Sequence, residues 1–214
     1  MKIVTINGSP RHDGNTANLC NAFIDGTKLV NTNCDIIHYN LNDITFKGCQ
    51  SCFSCKKLNS KNYGRCVIKD DLKPVLENII SADCLVVATP IYLMDASASI
   101  KALLERLCFS LGSYEIGYRS LTPKNIEVVT LYTMNCVEND APIYAMDNID
   151  TFLGHIFSKP HRICAYNTYQ FKDYSKYKVE VFDEKEKADY HNRHWSNIKR
   201  KVQSQAMNIC KKYQ

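Results

Sequence analysis

No apolar run in these 214 residues reaches the length of about 18 that a membrane-crossing helix needs. Met1 leads straight into a strand-like stretch, not into a charged leader with an apolar core, so neither membrane spanning nor export is expected, and a cytoplasmic setting follows by elimination. Glycine (8), proline (6) and tryptophan (1) are scarce, which excludes collagen-like and Pro/Gly-rich low-complexity chains. The Gly-Lys-Ser/Thr ending of a triphosphate loop, the G-x-G-x-x-G dinucleotide fingerprint and the G-x-S-x-G hydrolase elbow are all missing. Charge of one sign is modest too. Twenty-seven Lys and Arg against 22 Asp and Glu leave +5, enough for mild attraction to anions and too little to argue for a nucleic-acid partner.

Cysteine, by contrast, is abundant: 11 residues, an odd count that argues against a secreted disulfide framework. The hydrophobic pattern alternates strand and helix. Strands are predicted over 2–6, 36–39, 84–88, 126–132 and 161–166, and helices over 15–30, 74–80, from beyond the Thr89-Pro90 break through Leu107, 143–157 and 188–212. This βαβαβαβαβα order predicts one α/β domain over 1–214 with a parallel five-stranded sheet and a crevice at the carboxyl ends of its strands. A long Cys- and Lys-rich loop insertion at about 43–71 interrupts it. The mixed charges of 176–214, with Tyr174, Tyr177, Tyr190 and Trp195 scattered among them, predict a solvated helix face.

Between the first strand and the first helix lies Gly8-Ser9-Pro10-Arg11-His12-Asp13-Gly14-Asn15-Thr16. The Ser9 and Thr16 hydroxyls, the Asn15 amide, the Arg11 guanidinium and the free N–H groups of a helix start suit a bound phosphate. The plainer reading is a polar turn before a helix capped by Asn15 or Thr16.

Gly8-Ser9-Pro10-Arg11 followed by Gly14-Asn15-Thr16 resembles the FMN phosphate loop of the flavodoxin-like NAD(P)H-dependent flavin oxidoreductases. Ala82-Asp83-Cys84 through Ala88-Thr89-Pro90-Ile91-Tyr92 is similar to that family's third strand and second flavin loop, and Ile100-Lys101 with Leu104-Glu105-Arg106 to the helix that follows. Cys66-Val67-Ile68-Lys69-Asp70-Asp71 resembles the cysteine-loop branch that includes the iron-sulfur flavoproteins. The resemblance covers residues 1 to 135 and implies a flavodoxin-like three-layer α/β/α sandwich. It implies that Ser9, Arg11, Asn15 and Thr16 hold the FMN phosphate and that Pro90, Ile91, Tyr92 and Leu93 contact the flavin. A third flavin loop is implied at 133–136, beginning with Thr133, although Thr133-Met134-Asn135-Cys136 is bulkier than the family's glycine-rich form. Tyr92 could instead simply cover a sheet edge. For Arg106, an exposed salt bridge is expected before a contact with the cofactor.

Cys49, Cys52 and Cys55 recur every third residue and Cys66 follows, so their thiolates can converge on one centre. The pattern resembles the compact motif for a [4Fe-4S] cluster in iron-sulfur flavoproteins; a zinc knob or unmetallated thiols are the alternatives. Lys47, Lys56, Lys57, Lys61, Arg65 and Lys69 surround them, either depressing thiolate pKa values or facing solvent. The remaining cysteines are expected to pack as small hydrophobes. By resemblance the activity is NAD(P)H-dependent electron transfer through FMN to a quinone, nitro, flavin or similar small-molecule acceptor. A flavin electron carrier with a redox-protein partner is the alternative. A homodimer or higher homo-oligomer is expected, with the Cys-rich loop forming a wall of the neighbour's site.

Overall fold

The computed structural model describes residues 1–213. Five parallel strands form its sheet: β1 (Lys2–Asn7), β2 (Asp35–Asn40), β3 (Cys84–Tyr92), β5 (Glu127–Thr133) and β6 (His161–Ala165), in the spatial order β2-β1-β3-β5-β6. The sixth strand among the described residues, β4 (Asp95–Ala96), folds back antiparallel on the end of β3, pairing Ile91 with Ala96 and Tyr92 with Asp95. Sequence patterning misses β4 because a two-residue strand carries no period.

The central strands are continuous apolar runs because both faces are covered. On one face α2 (Leu72–Ser81), α3 (Ala98–Leu111) and α4 (Ile143–Ile156) contribute Val75, Ile79, Leu103, Leu107, Met146 and Leu153 to a core with Val4, Ile6, Leu85 and Val87. On the other, α1 (Asn15–Val30) and α5 (Glu184–Lys211) pack Leu19, Phe23, Val202, Ala206 and Ile209 against Ile3, Val86, Val129 and Leu131. The two helices touch at Gly26, where a Cβ would come within 2.5 Å of the Gln203 carbonyl oxygen. Among the described residues no helix is long and apolar enough to cross a membrane.

Three expectations are corrected by the structure. Thr89-Pro90 does not break the chain but continues β3, because pairing with β1 ends at Asn7–Ala88 and no neighbour on that side needs the N–H that Pro90 lacks. Helix α5 begins at Glu184, earlier than its apolar stripe suggests: the Asp183 carboxylate accepts the Glu186 N–H at 2.9 Å and caps it. The aromatics beyond 168 are not scattered. Tyr174 packs edge-on against Tyr169, Phe171 and Phe182, while Phe171 stacks on Tyr177 with ring centroids 3.9 Å apart.

The order β2-β1-β3 means that the chain runs outward from β1 and then crosses back, leaving β1 and β3 adjacent with their crossovers on opposite sides. A crevice therefore opens beyond their carboxyl ends.

Candidate functional site

A cleft of about 360 Å³ sits at this switch point, lined by Ser9, Arg11, Asn15, Thr16, Pro90, Ile91, Tyr92, Thr133, Met134, Asn135, Thr168, Tyr169 and Gln170. Its floor is the turn from β1 into α1. Gly8 is required there by close approach: a Cβ would lie 2.3 Å from Ile100 Cγ1 and 2.8 Å from Ser97 Oγ. Asn7 is buried and organises the turn, donating from Nδ2 to Asn40 Oδ1 at 2.9 Å while its Oδ1 accepts the Ser9 N–H at 3.0 Å. Ser9 Oγ in turn accepts the Arg11 N–H at 3.2 Å.

Helix α1 begins without a side-chain cap; Gly14 holds the cap position, so neither Asn15 nor Thr16 serves as the cap that the plainer reading assigned to it. No acidic residue lies in its first turn. Its leading N–H groups and positive dipole end are thus left for an anion. The acid in the loop, Asp13, is ion-paired with Lys172 at 2.6 Å, and that contact holds its carboxyl below the usual range.

Eight of the nine residues expected at a flavin site line this one cleft: Ser9, Arg11, Asn15, Thr16, Pro90, Ile91, Tyr92 and Thr133. Thr16, in the first turn of α1, and Thr133, at the end of β5, meet through their hydroxyls at 2.8 Å in a buried contact. Leu93 is the exception. It projects fully into solvent at φ 48°, beside Met94 at φ 62°, as the tip of the β3–β4 hairpin.

Sequence reasoning missed the far wall, Thr168, Tyr169 and Gln170. The Tyr169 carbonyl accepts from Asn15 Nδ2 at 2.7 Å, and the Gln170 carbonyl accepts from Arg11 at 2.5 Å. The segment after β6 therefore lies as a strap over the phosphate loop. The available signal was topological: in a parallel sheet every strand's carboxyl end opens on the same crevice.

The cleft suits a flavin mononucleotide by its donor set. Anion donors and the apolar surface of Pro90, Ile91 and Tyr92 line the same cleft, and Asn135 Oδ1 is a buried acceptor without a partner among the described residues. An N–H or hydroxyl of a polar heterocycle would satisfy that acceptor.

A second cavity, about 310 Å³, lies under the Cys-rich loop and is lined by Cys49, Cys52, Cys55 and Cys66 with Phe53, Arg106 and Phe109 among others. The Cys49 N–H donates to Glu105 at 3.0 Å, and the half-buried Lys56 ammonium donates to the Phe109 and Gly112 carbonyls at the carboxyl end of α3. Lys56 is thus a helix-end anchor and not a solvent-facing charge. The Ser54 backbone N–H and hydroxyl hold the exposed Cys52 thiol below its ordinary pKa, whereas burial pushes Cys55 up.

Arg106 overturns the expectation of an exposed salt bridge. It is 1% exposed and pairs with Asp70 at 2.5 Å, because the Cys-rich loop folds over α3 and covers it. The four thiols are the right donors for a cluster or zinc, but among the described residues no three His, Cys, Asp or Glu side chains are placed so as to hold a metal ion. All eleven cysteines are free; Cys20, Cys84, Cys108 and Cys210 are buried as small hydrophobes, while Cys34, Cys136 and Cys164 are only partly so.

Strand order, crevice and uncapped helix start together define a flavodoxin-like protein. A family model described as NADPH-dependent FMN reductase matches residues 1–131, and the chain belongs to that family. An iron-sulfur flavoprotein of Archaeoglobus fulgidus is 34% identical over 124 residues, 58% of this chain and 57% of that protein. One from Methanosarcina thermophila is 30% identical over 106 residues, 50% of this chain and 52% of that one. The chain thus spans about half the length of the curated relatives it matches. Among solved structures, an FMN-dependent NADH-azoreductase from Bacillus anthracis, in complex with FMN, superposes with a TM-score of 0.69 at 14% identity, covering 98% of this chain and 100% of that one. An NAD(P)H:quinone oxidoreductase from Methanothermobacter marburgensis gives 0.65 at 15% identity, covering 98% and 96%. At such identities the likeness shows the fold. The family expected from the phosphate-loop and cysteine-loop residues is therefore the one found.

Proposed function

We propose that the chain binds FMN in the switch-point cleft and acts as an NAD(P)H-dependent oxidoreductase that delivers electrons to a small acceptor such as a quinone, a nitro compound or free flavin. The observation that carries this reading is the start of α1: a 16-residue helix, uncapped by any side chain, whose first turn meets Ser9, Arg11, Asn15 and Thr16 in one cleft. Bound there, FMN would supply the hydride chemistry itself, so the chain needs no acid or nucleophile of its own. The residues' task is placement. Ser9, Asn15, Thr16 and the helix N–H groups would take the phosphate, with Arg11 adding charge. Pro90, Ile91 and Tyr92 would give the ring an apolar wall, and Asn135 would offer it an acceptor.

Because Asn15 and Arg11 already donate to the Tyr169 and Gln170 carbonyls, phosphate binding would exchange those neutral acceptors for charged ones. Asn15→Ala and Thr16→Ala are expected to weaken FMN retention roughly tenfold or more, the scale of hydrogen bonds to a charged group. His194→Ala on α5 is expected to leave it unchanged. Dialysis with flavin fluorescence measures all three, and equal retention would remove the phosphate-loop assignment.

A second reading, a flavin electron carrier that works with a redox protein, is favoured by the iron-sulfur flavoproteins that the chain is similar to, although the four thiols lining one cavity are not placed so as to hold a metal ion among the described residues. Anaerobic purification with flavin, iron, sulfide and zinc quantified together, followed by NADH and NADPH oxidation assays, separates the two. Turnover without iron supports the reductase, and stoichiometric iron and sulfide without turnover support the carrier. Free thiols throughout fit a reducing, cytoplasmic setting. Exposed Leu93 and Met94 beside the cleft, with Phe53 on the Cys-rich loop and Tyr114 and Ile116 just after α3, fit a homodimer, which sedimentation of the flavin-bound protein tests.

A further inference from the structure

Helix α5 is a polar helix, yet one of its lysines points inward. Lys187 is 1% exposed, the most deeply buried ammonium in a stretch otherwise rich in solvated charge. Its Nζ donates to Asn167 Oδ1 at 2.5 Å, to the Asn135 carbonyl at 3.1 Å and to the Thr168 carbonyl at 3.3 Å. The Phe182 ring closes over it at 4.6 Å.

Those three oxygens belong to two separate loops. Asn135 follows β5, and Asn167 and Thr168 follow β6; Asn135 and Thr168 both line the cleft. The residues next in line, Tyr169 and Gln170, carry the carbonyls that engage Asn15 and Arg11. Asn167 sits at φ 49°, a left-handed conformation that asparagine tolerates at some cost, and it is held there by its side-chain bond to Lys187 and by its N–H to the Cys136 carbonyl at 2.8 Å. One ammonium thus joins the third wall of the cleft to the strap over the phosphate loop. Three acceptors match the three donors of an ammonium, which no apolar or two-donor group can replace in full.

We propose that Lys187 is a positioning residue of the flavin cleft, fixing the 134–136 loop and the 167–170 strap in the arrangement that receives the cofactor. The ligand half of this rests on the FMN reading given above; the loop-ordering half does not. Burial draws the Lys187 pKa down to about 8, opposed by the Cys136 thiol facing it from the loop after β5. The 167–168 segment presents it neutral oxygens, and on its own helix the Asp183 carboxylate is engaged with the Glu186 N–H. Above that pKa the amine loses one of its three donors.

The test compares wild type with Lys187→Met and Asn167→Gly. The glycine variant removes the acceptor at a positive φ that glycine adopts without strain, so the native turn stays accessible. Amide exchange is read without and with saturating FMN, and FMN affinity is titrated from pH 7 to 9. Faster exchange is expected at 134–137 and 166–172 in both variants, about tenfold for Lys187→Met and less for Asn167→Gly, with β1 and β3 unchanged. FMN affinity is expected to fall about tenfold in Lys187→Met, and wild-type affinity is expected to decline between pH 7 and 9 while that of the variant does not.

Unchanged exchange in both loops overturns the proposal. So does faster exchange with FMN affinity and its pH profile intact, because Lys187 would then be structural only. If Lys187→Met fails to fold, Asn167→Gly decides on the same peptides and the same titration. A wild-type protein that takes up no FMN would overturn the cleft reading, whereas the exchange comparison would still decide whether Lys187 orders the loops.

Discussion

Breaking the pair between Asp70 and Arg106 is the sharpest probe of how the Cys-rich loop is fastened. Arg106 lies inside, with its guanidinium donating to Asp70 Oδ2 at 2.5 Å, to the Lys47 carbonyl at 3.2 Å and to the Ile68 carbonyl at 3.4 Å. The two arms of the loop, at 47 and at 68–70, are thereby tied to one turn of α3. Asp70→Ala leaves a guanidinium buried with no counter-charge. Removing one partner of a buried pair costs about 3–5 kcal/mol, and the lower end applies because the Asp70 side chain retains 18% exposure through which water can screen the orphan. For a chain of this size, about 3 kcal/mol corresponds to a melting-temperature loss of roughly 6–12 °C.

Urea and thermal unfolding measure the loss, and limited proteolysis reports whether the loop is released with it. Arg106→Met combined with Asp70→Leu is expected to recover most of the deficit, since neither charge then has to be desolvated. A loss below about 1 kcal/mol for Asp70→Ala, the value of an exposed pair, would refute the claim that this is a buried fastening and would restore the surface salt bridge expected from sequence.

Gly8→Ala is expected to destabilise the protein by about 1–3 kcal/mol and to weaken FMN uptake, because the new methyl group has to displace Ile100 and Ser97; stability equal to wild type would show that α3 yields there. Leu93→Asn with Met94→Gly is expected to raise the melting temperature by a few degrees, since both positions hold φ > 0 in a tight hairpin and neither native residue is suited to it; an unchanged or lower midpoint in a calorimetric scan would count against strain at this tip. For Lys187 the folded pKa, about 8, lies below the ordinary lysine value, so the unfolded chain binds more protons between about pH 8 and 10.5 and stability rises across that window. The wild-type stability minus that of Lys187→Met should therefore climb with pH there, by up to about 3 kcal/mol, and a flat or falling difference in urea unfolding would contradict the burial of an ammonium.

How much of this was readable in advance follows from how far apart the cooperating residues lie. The phosphate loop could be read because its parts are contiguous: Ser9, Arg11, Asn15 and Thr16 fall between one strand and one helix, and their chemistry points the same way without reference to the rest of the chain. The five parallel strands were readable for a related reason, since continuous apolar runs separated by helices admit few arrangements, but neither their spatial order nor the two-residue β4 was. The strap was not. Its contacts with Asn15 and Arg11 span 154 and 159 residues, and its carbonyls carry no side-chain signature at all.

Arg106 and Lys187 fail for the opposite reason: their side chains are conspicuous, and a reading by residue type places a charge on a helix, or in the mixed-charge stretch 176–214, in solvent. Each is buried because a loop from a distant part of the chain closes over it with oxygens already placed to receive it. The errors therefore mark where the fold spends stability to hold loops together. One such place lies under the thiols and the other behind the cleft, so the two misread cations fasten the two regions where redox chemistry is proposed. A charge that patterning places outside and topology places inside is, in this chain, a guide to the segments whose arrangement the function requires.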